Sequence, residues 1–135
     1  MPYLYPLLAT CSALLVYLWT FAMCGQARQK YNIQAPAVTG APEFERAYRV
    51  QMNTVEQLVL FLPSLWLFSI AVSSFWGGIL GFVWAAGRML YALSYAKDPS
   101  KRGPGFLIGL STSAIMLLVG LGKLVWVAVT GGGVG

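Results

Sequence analysis

Four long apolar runs, parted by two charged loops and one uncharged turn, decide what this chain can fold into. They extend over about residues 5–25, 54–73, 76–96 and 106–130, each close to the roughly 20 residues a helix needs to cross the hydrocarbon of a bilayer. A backbone in that medium must satisfy its own hydrogen bonds, so each run is expected to be helical. With 135 residues, 58% hydrophobic and 10% charged, the chain has room for four crossings and for no soluble domain beside them. The expected fold class is an all-α membrane protein, a four-helix transmembrane bundle forming one domain over residues 1–135.

The first run reads as a retained anchor. No basic residue precedes it, and "FAMCG" provides neither a small-x-small cleavage site nor a cysteine placed for lipid attachment. Charge then sets the orientation. Arg28, Lys30, Glu43, Glu45, Arg46 and Arg49 lie between the first and second runs, and Lys97, Asp98, Lys101 and Arg102 between the third and fourth. The turn "VSSFWGG" carries none. Both charged loops therefore fall on one side, which the positive-inside rule makes cytoplasmic, whether the membrane is the bacterial inner membrane or the endoplasmic reticulum. The net charge of +5 is thus a topology signal. Nucleic acid is not an expected partner, because the basic residues are split between loops and mixed with acids.

Cys11 and Cys24 lie about 20 Å apart along one helix, too far for a bridge within the chain. With no histidine and no acidic cluster, no metal is expected. Several other features read as scaffold. Pro63 should bend the second span, Gly105, Gly109 and Ser113 form a small-residue ridge for close packing within a subunit or between subunits, and Lys123 should reach for the interface. Trp66, Trp76, Trp84 and Trp126 suit lipid anchoring or core packing. The stretch "QARQKYNIQAPAVTGAPEF" is expected as a loop before a new helix that starts near Glu43 and carries "FERAYRVQMNTVEQ" on its first turns, and the terminal "GGGVG" as a mobile tail.

The remaining polar residues are patterned. Arg49, Asn53 and Glu56 fall at i, i+4 and i+7, one stripe entering the membrane with the second span, and Arg88, Tyr91 and Tyr95 form a second stripe at i, i+3 and i+7 on the third. An Arg or Glu facing lipid at depth costs about 2.5 kcal/mol or more, so both stripes should turn inward. An Arg88–Glu56 ion pair is the least costly arrangement, and such a pair can serve only to fix helix register. The donors nevertheless outnumber the single carboxylate, they gather at the charged end where a water-soluble ligand enters, and further cations stand near at Arg28 and Arg102. The mixture suits a zwitterionic peptide, with Arg for carboxylates, Glu for an ammonium group and Asn for an amide.

The segments "PEFERAYRVQMNTVEQLVLFLP" and "AAGRMLYALSYAKDPSKRG" together resemble the two signature regions of the MAPEG family, the membrane-associated proteins in eicosanoid and glutathione metabolism. The likeness covers most of the chain, and the spacing in "YAKDPSKRG" leans toward a microsomal glutathione transferase of the type three branch. It implies a homotrimer with glutathione as co-substrate at subunit interfaces open to the cytoplasm, and a lipophilic electrophile or lipid hydroperoxide arriving through membrane lipid. By position, Arg28, Arg49, Gln51, Asn53, Glu56, Arg88, Tyr91 and Tyr95 match the family's glutathione contacts, and Arg102 matches the arginine thought to activate the thiol. Gln57 stands where leukotriene synthase has tyrosine, and Gln29 where it has a second loop arginine.

A free thiol with a pKa near 8.5 is mostly protonated at neutral pH, and a nearby guanidinium favours the thiolate. The expected activity is a glutathione transferase, with or without peroxidase activity, in which Arg102 supplies this field. The alternatives are a MAPEG-like regulator without catalysis and a small four-helix exporter. Glutathione binding separates them.

Overall fold

The computed structural model describes residues 1–131; of the expected mobile tail, only Gly131 lies among these. Four helices follow in order: α1 over Leu4–Tyr31, α2 over Pro42–Ala71, α3 over Ser74–Lys97 and α4 over Gly103–Thr130, with a single 3-10 turn, η1, at Pro99–Lys101. Each helix is long and apolar enough to cross a membrane, with mean hydropathy between 1.2 and 1.9.

Two of the helices outrun their apolar segments at the charged end. α1 continues past Gly25 to Tyr31, where Asn32 takes a left-handed conformation (φ 55°) and closes the helix, its backbone N–H reaching back to Arg28 and Gln29. α2 starts at Pro42, whose missing N–H is one of the donors a helix start leaves unpaired anyway, and Glu43 and Glu45 complement the dipole in its first turn. The polar pattern of residues 43–49 is therefore helical and precedes the apolar run of α2.

At the opposite end only Val72 and Ser73 separate α2 from α3. The Ser73 hydroxyl caps α3 by accepting from the Trp76 amide at 3.2 Å. Charge-free and short, this join holds the two helices antiparallel. α2 continues without a break through Pro63.

The core lies midway along the bundle. Phe61 and Leu65 of α2, Trp84 of α3 and Met116 of α4 meet Ala9 and Ala13 of α1, all fully buried, and the Phe61 and Trp84 rings stack at 4.2 Å. Lipid supplies no hydrophobic drive between helices, so close contact depends on small residues. A Cβ on Gly105 would stand 2.5 Å from the Tyr91 backbone nitrogen, so the small-residue ridge of α4 is used for packing within the chain. The outward faces carry exposed Val59, Leu118, Trp126 and Val129, as a helix bathed in lipid requires. Trp66 instead turns inward and donates to Thr10 Oγ1 at 3.1 Å.

Candidate functional site

At the charged end the helices frame a polar cleft of about 520 Å³. α2 contributes Arg49, Asn53 and Glu56 from successive turns, α3 contributes Tyr91 and Tyr95, and the chain leaving η1 contributes Arg102. Six of the nine residues singled out in the sequence thus converge, from three separate elements. Arg49 and Glu56 are exposed to the cleft and have no hydrogen-bond or ion-pair partner among the described residues. Asn53 presents a buried Oδ1 that is likewise unpartnered.

Arg102 owes its place to a short hydrogen-bonded turn. The Asp98 carboxylate accepts from the Ser100 hydroxyl at 2.8 Å and from the Ser100 amide at 3.0 Å. These two bonds, in that order, hold its carboxyl below the usual carboxylate range, with Lys101 and Arg46 adding to the effect. The Lys101 amide donates to the Asp98 carbonyl at 2.9 Å, and Arg102 Nη1 donates to the Pro99 carbonyl at 3.3 Å.

Arg88 is fully buried behind the cleft wall. Its guanidinium lies 4.1 Å from the centre of the Tyr91 ring, and that ring and Tyr95's are 5.6 Å apart. The expected ion pair with Glu56 does not form. Arg88 Nη2 donates to Thr54 Oγ1 at 3.0 Å, and the Thr54 hydroxyl donates to the Val50 carbonyl at 2.7 Å. Thr54 and Glu56 are two residues apart, about 200° around the helix, so α2 turns Thr54 to α3 and Glu56 to the cleft.

Arg28 and Gln51 also stand apart from the cleft lining. Arg28 packs over the Phe44 ring at 4.8 Å and donates to the Ala37 carbonyl at 2.8 Å. Gln51 follows Arg49 by two residues and so lies on the far side of α2. Two lining residues, Tyr48 and Met52, escaped the sequence reading, although they form an i, i+4 pair immediately before Arg49 and Asn53. Gln57 is buried with an unpartnered Oε1.

Together these features define a four-helix membrane bundle with a cationic, carboxylate-bearing cleft at its charged end. The chain belongs to the MAPEG family, whose sequence profile matches residues 6–122, and is an integral membrane protein. An uncharacterized protein of Synechocystis sp. is 45% identical over 123 residues, covering 91% of this chain and 90% of that protein. Human microsomal glutathione S-transferase 2 is 41% identical over 96 residues, 71% of this chain and 65% of the human one. Bovine leukotriene C4 synthase is 36% identical over 99 residues, 73% of this chain and 64% of that one. The chain thus spans just under two thirds of the length of these last two relatives. The expected lean to the type three branch gains no support from them.

Proposed function

We propose that the protein is a membrane-bound glutathione transferase that holds the tripeptide in the 520 Å³ cleft as its thiolate. The observation that carries this reading is the convergence there of Arg49, Asn53, Glu56, Tyr91, Tyr95 and Arg102, a donor-rich set with one acid, the complement of a peptide bearing two carboxylates and one ammonium group. Arg49 takes a carboxylate in bidentate fashion, Glu56 the ammonium group, and Asn53 an amide, while the tyrosine hydroxyls bond the remaining polar atoms. Arg102 faces the sulfur. The thiol proton leaves to solvent, the sulfur bonds to the electrophile's carbon, and the leaving group departs with the bonding electron pair. Lipid hydroperoxides are a second class of acceptor for the same thiolate.

The positions of Arg28 and Gln51 favour a homotrimer within this reading. Both match glutathione contacts and both lie off the cleft of their own chain, so each would serve the cleft of a neighbouring copy. Arg88 would act from behind the wall by fixing Tyr91. The charged end faces the cytoplasm, where glutathione enters, and the electrophile comes laterally from lipid.

Two measurements on detergent-purified protein test the proposal. Bound glutathione should show a near-ultraviolet thiolate band, and a general electrophile should be conjugated at a steady rate. Arg102→Ala should abolish the band while glutathione still binds; an undiminished band removes Arg102 from this role. Failure of the unaltered protein to bind glutathione at all defeats the whole reading.

A further inference from the structure

Beside the polar cleft lies an antechamber of about 350 Å³. Tyr48, Arg49 and Tyr95 line both spaces, so the two adjoin, and Val38, Glu45 and Arg46 complete the outer one. Glu45, Arg49, Met52 and Glu56 follow one another at helical spacing, which carries the cleft-lining face of α2 one further turn toward its start. The pattern of charge is repeated along that face. Glu56 and Arg49 stand at the cleft, Glu45 and Arg46 at the antechamber. Glu45 Oε2 accepts from the Gly40 amide at 3.2 Å, which fixes the carboxylate against the α1–α2 loop. Its Oε1 has no hydrogen-bond partner among the described residues, and the Arg46 guanidinium has neither a hydrogen bond nor an ion pair there. Val38 follows Ala37, whose carbonyl accepts from Arg28 Nη1 at 2.8 Å, so the loop wall of the antechamber is tied to α1 as well as to α2.

We propose that the antechamber binds a second glutathione, its ammonium group at Glu45, a carboxylate at Arg46 and its sulfur turned toward Tyr95, where the cleft begins. The inference rests on the glutathione reading above and adds a second ligand to it. An acid beside an unpaired arginine opposes simple anions and simple cations alike, and fits a molecule that carries both charges. The volume lies at the small end of the range for ligand pockets, enough for one short peptide. Two tripeptides side by side supply both thiols that reduction of a hydroperoxide consumes. The cleft thiolate attacks the outer peroxide oxygen, the O–O bond breaks, and the alkoxide leaves as the alcohol after taking a proton from solvent. The first sulfur is thereby oxidised to a sulfenic acid. The second thiol gives its proton to the departing hydroxide, which leaves as water, and a disulfide bond forms between the two sulfurs. Conjugation to an electrophile uses one thiol only and leaves the antechamber idle.

The test compares two probes by calorimetry on the full chain in detergent: glutathione disulfide, which fills both spaces, and S-methylglutathione, which fills the cleft alone. Neither has a free thiol, so Arg102 favours neither. The disulfide is expected to bind at least about tenfold more tightly. Val38→Trp, which occupies the antechamber, and Glu45→Lys, which reverses its acid, should each erase that difference. Affinity for S-methylglutathione should stay as it was in both variants, which shows that the chain has folded and the cleft is intact. Hydroperoxide reduction should slow about tenfold in the same variants, while conjugation of a general electrophile proceeds at the unaltered rate. Equal affinity for the two probes in the unaltered protein, or a difference that survives both substitutions, would overturn the proposal and leave the single-glutathione reading standing. Binding of neither probe, nor of glutathione itself, would overturn that reading and this inference with it.

Discussion

Arg88 illustrates how a single charged side chain is accommodated in a membrane core. It has no exposed surface, and its Nη2 donates to a neutral hydroxyl, Thr54 Oγ1 at 3.0 Å, with the Tyr91 ring supplying a cation–π contact at 4.1 Å. Replacing Thr54 with valine keeps the shape and removes the acceptor. Hydrogen bonds to charged groups contribute about 1.5–3 kcal/mol, so Thr54→Val should lower stability by roughly that amount, measured by thermal unfolding in detergent. An unchanged transition would mean that the aromatic contact alone sustains the guanidinium. The inward turn of Arg88 was legible in the sequence, because its depth within an apolar run leaves no other direction. Its partner was not. Glu56 and Thr54 are equally near in sequence, and only the rotation of α2 against α3, fixed by packing around Phe61 and Trp84, decides which one faces it.

Among the elements, the short turn at Pro99–Lys101 carries more functional weight than its three residues suggest. It links α3 to α4 and places Arg102 at the cleft, and its order depends on the Asp98 carboxylate, which accepts twice from Ser100. Because the folded carboxyl titrates below its ordinary value, the stabilising effect of this cap is fully present above the unfolded value near 3.9. It is lost as the pH falls through the lowered folded value. Near neutral pH the turn is therefore insensitive to acid, and only substitution disturbs it. Asp98→Ala should speed amide hydrogen exchange over residues 99–102 and weaken the thiolate band of bound glutathione several-fold at neutral pH, while affinity for glutathione falls much less. No change in exchange would show that Pro99 and the helix ends suffice. The sequence made the four helices plain because long apolar runs have one solution in lipid. It also placed a helix start near Glu43, close to where α2 begins at Pro42, but it did not disclose this turn or that Gln26–Tyr31 is helical, since polar residues outside an apolar run do not carry the pattern that marks a span.

For the molecule as a whole, the placement of expected glutathione contacts on two sides of one chain has a measurable consequence. Arg49, Asn53 and Glu56 line the cleft while Gln51 lies on the far side of the same helix and Arg28 packs on Phe44. If each cleft is completed by a neighbour, the protein in mild detergent should have three times the chain mass by native mass spectrometry. Gln51→Ala should then raise the KM for glutathione without altering the thiolate band. A monomer that conjugates at full rate would contradict this assembly. Family resemblance made the trimer an expectation, whereas composition and spacing alone describe only one chain's helices. The two-residue join between α2 and α3, with Ser73 capping the second helix, adds a constraint on motion. The uncharged end works as the rivet of a pair of tongs, so admitting a ligand at the charged end is a matter of small angular play, greatest at the tips where the cations stand and vanishing toward the opposite leaflet.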